Sequence, residues 1–147
     1  MFKFDDASWH SEGDFPSELP PIAGGIHISL YLIWAVLSGL SSDNFLSEIE
    51  GGQEALSRRS LSPGWWFEVN CGGRFLSDML NDDGLAFSWH YYANDSGYAT
   101  TQPNYLEDYT LAFPGVPTLY HVPNAWASYD TIAPMLDQRV AEWRVSS

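Results

Sequence analysis

The chain has 147 residues, 45% of them hydrophobic and 16% aromatic, so it is long enough and apolar enough to fold around one core. This composition excludes an intrinsically disordered chain, and a single cysteine, Cys71, excludes an intramolecular disulfide or a metal site built from several cysteines. The net charge of −13 disfavours direct binding to nucleic acid or to an anionic membrane surface.

Residues 1–21 are predicted to form an irregular, acidic N-terminal arm that packs on a single domain spanning 1–147. The segment is rich in Pro, Gly and acids, and it ends in LPP, which blocks a helix until Pro21. It lacks the basic start and apolar run of a signal peptide. A lone free thiol also suits a reducing compartment, so we expect a cytoplasmic protein.

Residues 22–40, IAGGIHISLYLIWAVLSGL, carry no charge and are about long enough to cross a bilayer. Two features argue against a membrane span. The flanking Lys and Arg that orient such helices are missing, apart from Lys3 on the N-terminal side. His27, Ser29 and Ser38 also weaken the hydrophobicity. The segment is therefore predicted to be the buried central helix of a helical domain.

The next segments predict short helices and one ambiguous element. SSDNFLSEIEGG and QEALSRR each suggest one or two helical turns before the sequence SPGWWFEVNCGG. Ser62 followed by Pro63 is a good helix start. However, residues 65–71 could equally form a strand, and helix is the preferred interpretation.

The C-terminal half is also predicted to be mainly helical. A helix is expected from about Leu85, a loop over 97–105, a short helix over 104–113 and an amphipathic helix over 129–144. Prolines keep the intervening segment extended, with room for an edge strand at 118–122. The fold class is therefore mainly α: a single compact helical domain around the central helix, with at most a short β element near 65–71 or 118–122.

No catalytic signature is present in the sequence. A GxSxG elbow and phosphate-binding glycine loops are both missing. The four histidines are far apart and lack metal-binding spacing. His27 is interpreted as a hydrogen-bonded core residue, and His10 as the partner of a nearby acid. We therefore predict no catalytic residue, no metal site and no cofactor.

Residues 89–109, WHYYANDSGYATTQPNYLEDY, combine tyrosines with carboxylates and contain no Lys or Arg. Tyr supplies a large rigid contact area and acids steer cationic partners, so this composition suits an interface with a basic protein. The predicted partner-binding residues are Asp95, Tyr98, Tyr105, Glu107 and Asp108. Several of the tyrosines could instead belong to the core.

Two hypotheses for the function remain open at this point. The first is an acidic cytoplasmic binding protein that occludes a basic partner. The second is a small hydrolase or carbohydrate-binding protein with an aromatic–carboxylate cleft, for example one that joins Asp95 to Asp14. The sequence leaves the oligomeric state open.

A resemblance to a known family is carried by the segments FKFDDASWHSEGDFPSELPP, GGIHISLYLIWAVLSGL, LSPGWWFEVNCGGRFLSDMLNDDGLAFSWHYY, YLEDY and LYHVPNAWASYDTIAPMLDQRVAEWR. With these segments, the chain resembles a family of small acidic bacterial proteins of uncharacterised function. The resemblance covers nearly the whole chain, and it brings no known catalytic residues. The family is similar in type to the immunity proteins of bacterial toxin systems, which implies an inhibitor whose partner is a basic toxin encoded nearby.

Overall fold

A computed structural model describes residues 1–100 and 103–146 of the chain. Its centre is the helix α2, Ile26–Leu37, in which every residue from Ile26 to Val36 is buried. A 3-10 turn at Pro21–Gly25 leads into α2, and Gly39 follows it with a φ of 75°. The predicted central helix is confirmed, with narrower bounds than 22–40, because a 3-10 turn occupies 21–25 and the left-handed backbone of Gly39 follows the C-terminal end.

Helices from the rest of the chain surround α2, and polar side chains begin several of them. Ser42, Asn81 and Asn104 each accept a hydrogen bond from a backbone N–H in the first turn of the following helix. The mainly α prediction is therefore confirmed over the described residues. The surrounding helices are α3 (Asp43–Glu48), α4 (Gly52–Ser57), α5 (Pro63–Cys71), α6 (Asp82–Tyr91), α7 (Tyr105–Ala112) and α8 (Trp126–Ser146).

The two small sheets are not where the sequence predicted β structure. Strand β1 (Lys3–Asp6) pairs antiparallel with β2 (Arg74–Leu76), and β3 (Ala93–Asn94) pairs with β4 (Gly97–Tyr98). Residues 65–71 lie inside α5, because Pro63 occupies its first turn. Residues 119–121 form a 3-10 turn capped by the Thr118 side chain. The preferred helix at 65–71 is therefore confirmed, whereas the edge strand considered at 118–122 is replaced by a 3-10 turn.

The N-terminal arm is more ordered than predicted. After β1, the side chain of Asp6 caps the helix α1, Ala7–Ser11, and only the following residues up to Pro20 are irregular. Phe4 and Asp5 are buried, so this segment forms part of the core. The strand pairs with β2, about 70 residues away, and such long-range pairing leaves no local signal.

The core is unusually rich in tyrosine. Tyr91, Tyr92, Tyr105 and Tyr109 are each about 1% exposed. The rings of Tyr91, Tyr92 and Tyr105 pack around Tyr31 of α2, and Tyr109 packs against Tyr105. These tyrosines of the 89–109 segment therefore belong to the core. The predicted loop over 97–105 includes positions 101 and 102, which lie outside the described residues. In the ranges that the structure describes, no helix has the length and apolarity needed to cross a membrane.

Candidate functional site

The first strand carries a carboxylate into the core. Asp5 is fully buried, and its Oδ1 accepts hydrogen bonds from the Asp6 backbone N–H (2.9 Å) and from His10 Nε2 (2.8 Å). The hydroxyls of Tyr92 and Tyr98 donate to Oδ2 at 2.6 and 2.8 Å. A buried charge is costly unless hydrogen bonds replace its water shell, and these donors supply that replacement.

Two histidines from different helices face this carboxylate. His10 lies on α1 and His27 in the first turn of α2, and their rings meet edge to face with centroids 4.5 Å apart. His27 Nε2 is 3.5 Å from Asp5 Oδ2, which permits an electrostatic interaction but is longer than an ordinary hydrogen bond. Within the described part of the chain, neither ring nitrogen of this completely buried histidine has a hydrogen-bond partner.

Tyrosine hydroxyls connect the buried carboxylate to the surface. His10 Nδ1 lies 2.7 Å from the Tyr120 hydroxyl, and His10 Nε2 lies 2.8 Å from the Tyr98 hydroxyl. Tyr98 is 37% exposed, so its ring faces solvent while its hydroxyl reaches Asp5. We call this group the Asp–His–Tyr cluster; it consists of Asp5, His10, His27, Tyr92, Tyr98 and Tyr120.

The environment fixes the charge state of several members. Burial would raise the pKa of Asp5, but the hydrogen bond from His10 and the interaction with His27 outweigh burial and hold this pKa well below its ordinary value. Burial lowers the pKa of His27 despite the attraction of Asp5. Burial first, and then the Asp5 charge, raise the pKa of Tyr92 and Tyr98. At neutral pH the cluster therefore combines an ionised carboxylate, an uncharged His27 and protonated phenols.

Close backbone packing brings these side chains together. A Cβ atom on Gly24 would lie 3.0 Å from the Ala7 carbonyl oxygen and 3.3 Å from the His10 Cβ. The glycine thus lets α1 approach the start of α2, and this approach places His10 beside His27. The pairing of His10 with a nearby acid is as predicted, and so is the burial of His27. The hydrogen bonding expected for the His27 ring is not found among the described residues. The convergence of both histidines on Asp5 was missed, because their spacing in sequence matches no local motif.

The cluster lies within a region that is shared with other proteins. Residues 3–122 match a family described as a domain of unknown function, DUF7832. The chain belongs to this family. No curated protein and no solved structure gives a significant match. All six residues of the Asp–His–Tyr cluster fall inside the matched DUF7832 region, whereas α8 lies beyond its end.

The five predicted partner-binding residues of this DUF7832 chain fall into an exposed group and a buried group. Asp95, Tyr98 and Glu107 are exposed. Tyr105 and Asp108 are each 1% exposed, which corrects their assignment to a partner surface. The Tyr105 hydroxyl donates to the His27 carbonyl oxygen, and Asp108 pairs with Arg139 of α8. Whether the three exposed residues bind a partner stays a prediction.

Asp95 and Tyr98 line a surface groove of about 350 Å³ in this DUF7832 domain. The groove, here named the N-terminal groove, lies between the start of the chain and the β3–β4 hairpin. Trp9, on its wall, is 54% exposed, and Lys3 lies over the Trp9 ring at 5.0 Å. Its main lining residues are Phe2, Lys3, Trp9, Asn94, Asp95 and Tyr98.

Proposed function

We propose that this protein is an acidic binding protein that docks a basic protein partner at the N-terminal groove. The observation that carries the proposal is the groove itself, where the exposed rings of Trp9 and Tyr98 lie beside the carboxylate of Asp95. Trp and Tyr are the residues that most often anchor protein interfaces, because they bury large rigid surfaces with little loss of rotamer freedom. An acid at the rim of such a groove favours Lys or Arg on the partner.

The charge of the chain supports the same class of partner. The net charge of −13 creates a negative potential that speeds encounters with cationic proteins and slows encounters with anionic ones. Lys3, a basic residue of the groove, already forms an ion pair with Asp6 at 2.8 Å. Its positive charge is therefore largely compensated, which reduces its repulsion of a cationic partner.

The specific form of the proposal is an immunity-type inhibitor of bacterial origin that acts in the cytoplasm. Its partner would be a basic toxin encoded nearby, and inhibition would follow from covering the active site of the toxin. The acidic surface and the exposed aromatic anchors support this form, together with the resemblance in type to immunity proteins. Neither catalysis nor a cofactor is required for such an activity.

Binding to the product of the neighbouring gene tests the proposal. The two proteins are co-expressed, the complex is isolated, and its dissociation constant is compared for the wild type and Trp9→Ala. We expect Trp9→Ala to weaken binding by about ten-fold or more, as for an interface anchor. Trp65→Ala is the matched control, because Trp65 is similarly exposed (57%) but lies on α5 outside the groove.

Two outcomes would contradict the proposal. If the wild type neither binds nor neutralises the neighbouring product, the immunity-type form is wrong. If a complex forms but Trp9→Ala and Trp65→Ala bind equally well, the N-terminal groove is not the docking site.

The second candidate function, carbohydrate binding, is favoured by a different cavity. The sequence suggests Asp95 and Asp14 as two acids that face one cleft, but Asp14 does not line the groove that contains Asp95. However, a pocket of about 430 Å³ brings Trp66 and Trp126 together with Glu50. An aromatic ring beside a carboxylate suits a sugar, although Trp66 is only 4% exposed and a sugar on Trp126 would have to displace Arg59, which lies 4.7 Å over that ring. Quenching or enhancement of tryptophan fluorescence by oligosaccharides, lost in Trp126→Ala, would support this candidate, and an unchanged spectrum would count against it.

A further inference from the structure

We propose that Asp5, His10 and His27 form a binding site for one divalent transition-metal ion, with Zn²⁺ the best-suited ion. The three side chains each offer one ligand atom, and these atoms all lie within 4.8 Å of one another. Two imidazole nitrogens and one carboxylate oxygen are a donor set that Zn²⁺ and other first-row divalent ions use. The inference is independent of the docking proposal.

The distances suit a shared ion after small side-chain adjustments. The Asp5 carboxylate oxygens lie 2.8 Å from His10 Nε2 and 3.5 Å from His27 Nε2. In a tetrahedral site with bonds of about 2.0–2.2 Å, neighbouring ligand atoms are about 3.2–3.6 Å apart. An ion between them would replace the direct His10–Asp5 hydrogen bond by bonds to a common centre.

His27 provides an independent indication of a missing ligand. Both of its ring nitrogens are buried, and among the residues that the structure describes neither has a hydrogen-bond partner. Buried polar groups in native proteins are nearly always satisfied, and an unsatisfied group points to an unseen ion or water. Because Nε2 faces the Asp5 carboxylate, an ion shared with Asp5 would satisfy it.

The surroundings resemble the outer shell of a metal centre. Histidine ligands normally use their second nitrogen to hydrogen-bond an oxygen, and His10 Nδ1 lies 2.7 Å from the Tyr120 hydroxyl. His27 departs from this pattern, because its Nδ1 has no such partner among the described residues. The Asp5 carboxylate is likewise oriented, by Tyr92 and Tyr98. Three protein ligands leave a fourth position for water or another ligand. The hydroxyl of the part-exposed Tyr98, which lines the N-terminal groove, lies 2.8 Å from both Asp5 Oδ2 and His10 Nε2, so it is next to two of the three ligands.

The competing interpretation is a hydrogen-bonded network that only stabilises the fold. It predicts no preference for metal ions, whereas the metal site predicts tight binding that depends on His10 and His27. The two interpretations are separated by titrating the full-length, chelator-treated protein with Zn²⁺ in competition with a chromophoric chelator. We expect one Zn²⁺ per chain.

Variants locate the bound ion. His10→Gln removes a ligand that is only partly buried, and we expect a loss of affinity greater than about 100-fold. Tyr120→Phe removes an orienting hydroxyl, and we expect a loss of about ten-fold with the stoichiometry unchanged. His121→Gln is the matched control, because His121 pairs with Glu18 at the surface. It should bind Zn²⁺ like the wild type.

A measurement on the wild type keeps the test valid even if His10→Gln fails to fold. Nuclear magnetic resonance of the histidine ring nitrogens should show His10 and His27 shifting when Zn²⁺ is added, while His90 and His121 stay unchanged. The proposal is overturned if the wild type binds Zn²⁺ no more tightly than a folded His10→Gln variant. It is equally overturned if the signals that shift belong to His90 or His121.

Discussion

Arg139 of the last helix holds the buried carboxylate of Asp108 with two hydrogen bonds, Nε to Oδ2 at 2.8 Å and Nη2 to Oδ1 at 3.1 Å. The Tyr91 hydroxyl donates a third, to Oδ2 at 2.6 Å. Asp108 lies on α7, Tyr91 on α6 and Arg139 on α8, so a single carboxylate ties three helices together. The hydrogen bonds from Arg139 to Asp108 raise the pKa of its guanidinium.

Removing Arg139 should destabilise the protein strongly, because it leaves the charge of Asp108 buried without a counter-ion. For Arg139→Ala we expect the free energy of unfolding to fall by about 3 kcal/mol, which is the lower limit of the range measured for breaking a buried ion pair. We choose the lower limit because the Arg139 side chain is 22% exposed. Urea denaturation followed by circular dichroism measures the change.

The exposed pair of Arg58 and Glu54 provides a control, and Arg58→Ala should cost less than about 0.5 kcal/mol. The double variant Asp108→Asn with Arg139→Met should be more stable than Arg139→Ala, because it leaves no unpaired charge buried. Equal stability of the Arg58 and Arg139 variants would contradict this account.

The buried tyrosines should make the fold sensitive to alkali. Burial raises the pKa of Tyr129 to about 12, and it raises the pKa of Tyr31, Tyr105 and Tyr109 as well. In the unfolded chain these phenols ionise near a pKa of about 10, so above that pH the unfolded state binds fewer protons than the folded state. The stability contributed by the protonated phenols is complete below pH ~10 and is lost as the pH rises toward 12.

Parallel titration of tyrosinate absorbance and circular dichroism checks this expectation. Ionisation of the core tyrosines should coincide with loss of helical signal. A smooth tyrosinate titration near pH ~10 with the helices intact would show that these rings are accessible to solvent.

The helices could be predicted from the sequence because their signals are local. Pro63 starts α5, and Asn81 and Asn104 cap the helices that follow them. The burial of Asp108 also has a local signal in the sequence. Positions 105, 108 and 109 share one helix face, so Asp108 lies on the same side as Tyr105 and Tyr109 while Glu107 points away.

The strands and the Asp–His–Tyr cluster could not be predicted in the same way. KFDD and RFL are too short to show an alternation of apolar and polar residues. They form strands because they pair with each other, although they are far apart in sequence. Asp5, His10 and His27 are brought together by the close approach of α1 to Gly24. That approach depends on tertiary packing, for which a single sequence gives no periodic or spacing signal.

Replacing Trp34 should damage the fold. Its ring on α2 is 1% exposed, and Nε1 donates to Asp137 Oδ1 at 2.8 Å. For Trp34→Ala we expect a loss of about 3–5 kcal/mol, because the change leaves a large cavity in the core. Trp65→Ala is the control: Trp65 is 57% exposed, so its loss should cost less than about 1 kcal/mol. Equal losses in urea denaturation would mean that α2 is not the centre of the core.

Cys71 should be unreactive in the folded protein. The thiol is buried, and burial followed by the nearby charge of Glu68 raises its pKa well above the ordinary value. The reactive thiolate is therefore scarce at neutral pH. We expect a chromogenic disulfide reagent to label Cys71 only as fast as the protein unfolds, and labelling should become rapid in urea. Fast labelling of the native protein would contradict the burial of α5.

Exposed acids should control the rate of partner binding, if the proposed docking is correct. Asp95→Asn with Glu107→Gln removes two surface charges, and we expect slower association with the partner. The effect should be greatest at low salt, because the Debye length is about 30 Å at ~0.01 M salt but only about 10 Å at ~0.1 M. Asp43→Asn with Asp83→Asn removes the same charge from exposed positions on α3 and α6, and its effect should be smaller. Asp108→Asn behaves differently, because Asp108 is buried: it should lower stability at every salt concentration rather than slow encounter. Stopped-flow association rates at low and high salt separate the three variants, and equal rates for both double variants would show that the acids act only through the total charge.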